Sequence, residues 1–278
     1  MSSTLIVSSK NIIDNNNSVF TYKFDVPINF QDEEISLISA SMYYSWRNIT
    51  TDNNVLEYKW VNNQTYQIVL PVGFYEVSDI NAYCQYVMRQ NGHYYIKGTT
   101  FVYYFEIIIN PTNYSCDIIT YPVPVTMPSG YTKPTNGNYY IAGYNGSAIH
   151  PSVRFTSKIN EILGFNTNYS TPQNQTQTTP NTYQSTKAPN VNPNSALTLI
   201  CDQASNKFSN LGILYSIVPN VRIGSLFVDR PSHPVYLKMK SGTYDRLTFR
   251  LVNASTLLPM EILDPEINLL FSLKMKNT

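Results

Sequence analysis

Apolar and polar residues alternate with a period of two over many short segments of the chain. In the segment 20–26 every even position is aromatic or aliphatic and every odd position is polar. This alternation predicts a half-buried β-strand. Two similar runs, 55–60 and 66–70, flank a short polar segment and predict a β-hairpin. Further strands are expected at 35–46, 101–109, 116–121, 196–201, 211–218, 224–228, 235–239, 247–252 and 267–275.

One segment has the spacing of an amphipathic helix instead. We expect this helix to begin after Ser78, a suitable N-cap, and to end at Asn91-Gly92. Its apolar residues recur at i, i+3, i+4, i+7 and i+8, namely Ile80, Tyr83, Cys84, Val87 and Met88. A second, shorter helix is predicted over 157–165. About ten strands against two short helices indicate a mainly β fold.

Shifts in composition divide the chain. Residues 1–18 are polar and predict a loose N-terminal arm, and 19–123 hold the first strands and the main helix. Residues 124–196 are predicted to be an insertion, and 197–278 return to dense strand signals. Within the insertion, 24 of the 30 residues of 167–196 are Asn, Gln, Ser, Thr or Pro, which predicts a mobile, exposed loop.

The composition narrows the classes of function. The net charge is +1, only 13% of the residues are charged, and there are 31 Asn and 23 Tyr. A surface with so few ions argues against a nucleic-acid binder recruited by bulk electrostatics and favours a protein that packs against other proteins. No apolar run is long enough for a membrane span, and no signal-peptide pattern is present. Three cysteines without a CxxC motif favour synthesis in a reducing cytosol.

The search for chemistry gives no catalytic, metal or cofactor site. The run Asp229–His233 contains Asp, Ser and His too close together for a catalytic triad. The three cysteines are expected to be core thiols, and the three histidines lie far apart without metal-ligand spacing: Cys84, Cys116 and Cys201; His93, His150 and His233. The acidic run 32–34 is expected to be a solvated loop. We therefore expect no enzyme activity and no cofactor.

Two patterns leave alternatives open. Two pairs of lysines would each share one strand face: Lys238 with Lys240, and Lys274 with Lys276. These pairs fit either a weak contact to packaged nucleic acid or ordinary solubilising positions on the surface, and the second interpretation is favoured. Tyrosine pairs occur at 43–44, 94–95, 103–104 and 139–140. They fit an interface belt, a sugar platform or, as the first choice, half-buried strand residues.

Several short motifs resemble one viral protein family. A Pro-Val-Gly-Phe-Tyr-Glu-Val-Ser-Asp-Ile-Asn run at 71–81 is joined by Ile162-Leu163-Gly164-Phe165 and by the segment 212–219. The strongest match is Tyr244-Asp245-Arg246-Leu247-Thr248-Phe249-Arg250-Leu251, which follows His233-Pro-Val-Tyr-Leu-Lys-Met-Lys-Ser-Gly242. Together they resemble the minor capsid, or penton, proteins of virophages and of the related Polinton/Maverick elements.

This resemblance implies a single jelly roll, an antiparallel β-sandwich, with an inserted β- and loop-rich domain. It implies a structural capsid protein of the virion, made in the host cell cytoplasm. The implied assembly is a homopentamer at the fivefold vertices of an icosahedral shell, in contact with a double-jelly-roll major capsid protein. The competing hypothesis is a receptor- or glycan-binding β-module of a virion, such as a fibre or lectin-like head.

The motif at 244–246 yields one hypothesis about contacts. Because Asp245 and Arg246 are adjacent, a regular strand would place them on opposite faces, where they could not easily pair with each other. Each would then need another partner. Tyr244, Asp245 and Arg246 are therefore candidate subunit-interface residues, with a charged turn on the free surface as the alternative.

Overall fold

The structure, a computed structural model, describes residues 2–13, 16–134, 149–172, 178–191, 196–207 and 211–275. Within these ranges the chain forms twenty strands, two α-helices and a 3₁₀ turn at Ser9–Asn11. The helices are α1 (Val77–Gln90) and α2 (Ile159–Leu163). The strands are β1 (Ser2–Ser8), β2 (Ile12–Ile13), β3 (Asn16–Phe30), β4 (Glu33–Tyr43), β5 (Val55–Lys59), β6 (Thr65–Val69), β7 (Tyr95–Lys97), β8 (Thr100–Val102), β9 (Phe105–Asn110), β10 (Ser115–Thr120), β11 (Tyr131–Thr132), β12 (Ser152–Phe155), β13 (Asn181–Gln184), β14 (Leu197–Cys201), β15 (Ala204–Ser205), β16 (Ile213–Ile217), β17 (Leu226–Asp229), β18 (Leu237–Met239), β19 (Gly242–Asn253) and β20 (Asn268–Met275).

The chain divides into two compact units, one made of residues 1–47 and 194–278 and the other of residues 48–193. In the described part of the first unit, eleven strands form two antiparallel sheets. One has the order β1-β20-β4-β17; β18 lies beside β17 on the same side of β4, and β15 pairs with β18. The other has the order β3-β19-β14-β16, with β2 beside β3. When the short strands β2, β15 and β18 are left out, the other eight strands, counted along the chain, have the orders 1-8-3-6 and 2-7-4-5. This is the jelly-roll arrangement of a β-sandwich.

One apolar core lies between the two jelly-roll sheets. Each strand buries alternate residues because successive side chains point to opposite faces of a sheet. On β19 the inward residues are Leu247, Phe249 and Leu251, all fully buried. The rings of Phe249, from one sheet, and Phe271, from the other, stack with their centroids 4.4 Å apart. This contact joins the two sheets at the centre of the sandwich.

The second unit is inserted between β4 and β14 and has its own core. It contains three small antiparallel sheets, with the orders β13-β10-β9, β11-β7-β8 and β12-β5-β6. The predicted hairpin of β5 and β6 is confirmed. Helix α1 ends at the predicted Asn91-Gly92, and it buries Ile80, Cys84 and Met88. It begins two residues earlier than expected, because Asp79 accepts a hydrogen bond from the Glu76 N–H, so that Glu76 rather than Ser78 is the N-cap.

Two predicted boundaries were wrong. Residues 2–8, expected to be part of a loose arm, form β1, which pairs with β20 along its whole length and buries Leu5 and Val7. The insertion begins at residue 48 rather than 124. The hairpin β5–β6 and the helix α1 show the same local signals as jelly-roll elements. Only their long-range pairing assigns them to the insertion.

The prediction that 167–196 forms a mobile, exposed loop was also wrong for part of this segment. Residues 173–177 and 192–195 lie outside the described residues, but 181–184 form β13, which pairs with β10. Ser185 is buried, and its Oγ accepts a hydrogen bond from the Cys116 N–H (2.9 Å) and donates one to the Lys187 carbonyl (2.6 Å). In this segment hydrogen bonds of buried polar side chains, rather than apolar contacts, hold the chain in place. The composition alone does not reveal this. Among the described residues, no helix is both long and apolar enough to cross a membrane.

Candidate functional site

The outer face of the sheet β1-β20-β4-β17 has an uncharged half, which we call the neutral patch. Register places its outward residues in three rows across the strands. The rows are Ile6, Leu270 and Ser39; Ser8, Asn268, Ser41 and Val228; and Tyr43 with Leu226. Ile6, Leu226 and Val228 are each at least half exposed. An aliphatic and serine-rich sheet face without charge is typical of the centre of a protein–protein contact, where charged residues are depleted.

The other half of this sheet face is charged but balanced. Glu34 on β4 lies directly between Lys238 on β18 and Lys274 on β20. Lys238 also forms an ion pair with Asp32 (Nζ to Oδ1 2.9 Å), and the ammonium of Lys274 lies over the ring of Tyr236. Opposite charges facing each other across strands stabilise the pairing.

The row of Lys238, Glu34 and Lys274 affects the prediction that paired lysines contact packaged nucleic acid. The ammonium of Lys240 donates to the backbone carbonyl of Asp202, and Lys276 lies outside the described residues. Because two carboxylates face Lys238 and Lys274, the electrostatic attraction for nucleic acid at this face is reduced. The contact with packaged nucleic acid stays a prediction.

The motif at 244–246 does not behave as expected. Arg246 pairs with its chain neighbour Asp245: Nε donates to Oδ1 (3.0 Å) and to Oδ2 (3.2 Å), and Nη2 donates to Oδ2 (2.8 Å). The prediction that Asp245 and Arg246 would not pair with each other was therefore wrong. The physical reason is a break in register, since Tyr244 pairs with Ile28 but Arg246 pairs with Lys23. Strand β19 is irregular at this point, and the usual alternation of faces does not apply.

The irregularity arises mainly on β3, whose residues 24–27 form a wide bulge ending in Pro27. Proline has no N–H to donate to the ladder, which favours such a position. The bulge turns Val26 outward, so that its side chain is 73% exposed instead of sharing the face of Phe20 as the alternation predicted. Tyr244 is half-buried and packs against Phe30, with ring centroids 5.9 Å apart. Of the three candidate residues, only Asp245 and Arg246 are exposed.

The expected core thiols are buried. Burial raises the pKa of Cys84, Cys116 and Cys201, each to about 12, which keeps all three thiols protonated near neutral pH. Such thiols are poor nucleophiles. In the described part of the chain, no group of three or more His, Cys, Asp or Glu side chains could hold a metal ion.

The Asp229–His233 run forms no triad. Asp229 accepts a hydrogen bond from the Tyr215 hydroxyl (3.2 Å), while His233 is exposed. The two other histidines are buried in the insertion unit. His93 Nδ1 contacts the Tyr58 hydroxyl at 2.8 Å, and His150 Nδ1 lies 3.1 Å from the Thr120 hydroxyl. Each histidine is accounted for by packing and hydrogen bonding.

The tyrosine pairs have mixed positions. Tyr95 and Tyr104 are buried, whereas Tyr94 and Tyr103 are half-buried and cluster with Phe101. Residues 139–140 lie outside the described residues.

The neutral patch was not identified from the sequence. Its signal is the alternation of small polar and aliphatic residues at outward positions of four strands, which becomes a surface only when the register is known.

Comparisons with known proteins complete the description. No protein-family model and no curated protein sequence matches the chain. Among solved structures, the chain is similar to the mavirus penton protein, with 9% identity, a TM-score of 0.42 and 99% of both chains covered. It is also similar to a chain from the structure of the Sputnik virophage, with 11% identity, a TM-score of 0.41, and 99% of this chain and 98% of that chain covered. The strand orders of the two sheets establish the jelly roll independently of these superpositions.

Proposed function

We propose that this chain is a non-enzymatic structural protein of a viral capsid. In this proposal it forms a homopentameric capsomer at the fivefold vertices of the virion and contacts a double-jelly-roll major capsid protein. The observation that supports it best is the neutral patch on the outer face of a jelly-roll sheet. Jelly rolls are a recurring fold of capsid proteins, and the motifs at 71–81 and 244–251 resemble those of virophage pentons.

The occupant proposed for the neutral patch is a second copy of this chain. Ile6, Val228 and Leu226 offer aliphatic surface, while Ser39 and Ser41 offer short polar groups that a neighbouring backbone can approach closely. No formal charge would have to be desolvated on this side of the contact. A ring of five subunits needs a contact of this kind on each subunit, repeated by rotation.

The test is the mass of the purified chain in solution, measured by native mass spectrometry and light scattering. We expect a species with five times the 31.7 kDa mass of one chain. Val228→Lys should reduce its population at least tenfold, because a charge would be buried in the contact. Leu258→Lys, at an exposed aliphatic residue outside the patch, is the matched control and should leave assembly unchanged.

Other results would contradict the proposal. A trimer would favour the fibre or lectin-like head, and a monomer that neither self-associates nor co-sediments with purified major capsid protein would overturn the capsid role. If the Val228→Lys and wild-type chains assemble equally well, the neutral patch is not part of the subunit contact. The oligomer would then form through another surface.

A further inference from the structure

The insertion unit contains a cleft of about 640 Å³ between aromatic side chains and prolines. Its walls come from β8, β9, the middle of α1 and the loop that follows β10. The volume lies within the range of small-ligand sites, roughly 300 to 1,000 Å³. Nothing in the proposed capsid role requires such a cleft, so its chemistry can be considered on its own.

The walls are mainly rings. Phe101, Tyr103, Tyr121 and Tyr131 line the cleft, and prolines from the segment 122–128 complete its apolar surface. Flat rings offer large apolar area at low conformational cost, and tyrosine adds a hydroxyl at the ring edge. These surfaces suit a ligand that has one apolar face and polar groups around its edge.

Two polar side chains also line the cleft, Glu106 on β9 and Gln85 on α1. The carboxylate of Glu106 accepts a hydrogen bond from the Tyr121 hydroxyl, and it forms no ion pair with any described residue. A carboxylate has about four acceptor sites, so it can accept further hydroxyl donors. The Gln85 amide offers both donors and an acceptor.

The charges around the cleft select against ionic ligands. Glu106 is the one charged side chain among the described residues that line the cleft, and it disfavours an anion there. The guanidinium of Arg89 lies 5.5 Å from the ring centre of Phe101, and the ammonium of Lys97 lies 5.5 Å from that of Tyr131. These two cations already occupy positions over lining rings, which disfavours a cationic ligand there. A neutral ligand with hydroxyl groups fits the remaining chemistry.

We propose that this cleft binds a neutral oligosaccharide. The C–H faces of the sugar rings would stack on the aromatic walls, and its hydroxyls would donate to Glu106 and accept from Gln85 and tyrosine hydroxyls. The site lies wholly within the insertion unit. It would operate whether or not the chain assembles into pentamers, so its failure would leave the capsid proposal intact.

The test uses the full chain on a glycan array that carries neutral and acidic oligosaccharides, followed by titration calorimetry with the best neutral glycan. Glu106→Gln keeps the shape but removes the charge, and Tyr103→Ala removes one stacking surface. We expect each to weaken binding at least tenfold, with the circular dichroism spectrum unchanged. Glu161→Gln, at an exposed carboxylate on α2, is the control and should leave the affinity unchanged.

Three outcomes would overturn the proposal. The first is that no neutral glycan binds. The second is that a neutral glycan binds equally to the wild-type, Glu106→Gln and Tyr103→Ala chains, which would place the sugar elsewhere. The third is that a decamer of poly-L-proline, tested in parallel, binds through the same two residues and no neutral glycan does. That result would make the cleft a groove for proline-rich peptides.

Discussion

Arg246 binds the carboxylate of the residue that precedes it, Asp245, through both Nε and Nη2. Adjacent strand residues rarely meet in this way, and the wide bulge of β3 opposite them makes it feasible. The hydrogen bonds from Arg246 are the main cause that lowers the pKa of Asp245, and the nearby ammonium of Lys23 lowers it further. The ion pair lies at the surface, opposite the bulge of β3 that contains the exposed Val26.

The first prediction concerns this ion pair. Because both side chains are about half exposed, Arg246→Ala should leave the melting temperature of the unassembled chain within about one degree of wild type. If Asp245 and Arg246 contact a neighbouring subunit, the same change should raise the concentration for half-assembly about tenfold. Analytical ultracentrifugation over a dilution series measures this.

The control for that experiment is Arg154→Ala in the insertion unit. Arg154 is similarly exposed, and its nearest carboxylate, on Glu57, lies 3.9 Å away. It should leave assembly unchanged. If Arg246→Ala assembles at the wild-type concentration, Arg246 is a solubilising residue and the interface hypothesis for 244–246 is wrong.

The second prediction is a loss of stability in acid caused by His93. Burial lowers the pKa of this histidine from 6.5 to about 4, and the side chains that face it, Tyr58, Trp60 and Tyr66, are uncharged. In the unfolded chain the imidazole takes up a proton below pH 6.5, whereas in the folded chain it does so only near pH 4. Unfolding therefore becomes easier as the pH falls through this window, by on the order of 2 kcal/mol between pH 7.5 and pH 5.

Urea unfolding at the two pH values measures this loss. In a Trp46→Phe background, fluorescence reports on Trp60, which stacks on His93 with ring centres 4.3 Å apart. His93→Gln should remove most of the pH dependence, and His233→Gln, at an exposed histidine, should keep it. An unchanged pH dependence in His93→Gln would assign the acid sensitivity to carboxylates instead.

The third prediction concerns Gly164, which ends α2 with φ = 79°. A Cβ at this position would lie 2.2 Å from the carbonyl oxygen of Lys187, a backbone atom that cannot move aside cheaply. Gly164→Ala should therefore destabilise the insertion unit by more than about 3 kcal/mol, since the clash adds to the strain of a left-handed residue. Gly98→Ala has a similar φ of +63° without any nearby atom, and it should cost only about 1 kcal/mol. Equal costs would mean that the segment at 187–188 is not held against α2.

The fourth prediction tests whether the polar segment around β13 is part of the folded structure. Ser185→Ala leaves the buried Cys116 N–H without its acceptor and should cost about 1 to 3 kcal/mol. Thr182→Ala, at an exposed position of the preceding strand β13, should change stability by less than about 0.5 kcal/mol. Urea unfolding of both variants makes the comparison. If Ser185→Ala is also neutral, the segment is the mobile loop that its composition predicts.

Local signals predicted local structure well. The stripe from Ile80 to Met88 predicted α1 because helix periodicity depends only on neighbouring residues. The bulge of β3 could not be predicted in the same way. Val26 continues the alternation that starts at Phe20, and Pro27 is the one local sign that the strand leaves its ladder.

The candidate sites depended still more on distant parts of the chain. The neutral patch brings Ile6 beside Leu270 and Ser41 beside Val228, pairs that no local pattern connects. The same holds for Lys238, Glu34 and Lys274 in the charged row. Of the aromatic residues that line the cleft, only Tyr103 and Tyr104 form one of the tyrosine pairs of the sequence, and the position of Glu106 beside them required the structure.

The strand order of the jelly roll also implies an order of folding during synthesis. Strands β1 and β4 both pair with β20, and β3 pairs with β19, so each of these early strands waits for a partner made near the end of translation. The insertion, by contrast, is one continuous segment, 48–193, with its own core, and it can fold as soon as it leaves the ribosome. Until β19 and β20 emerge, the unpaired edges of β3 and β4 are exposed to aggregation, and this interval is where a chaperone would have the greatest effect on yield.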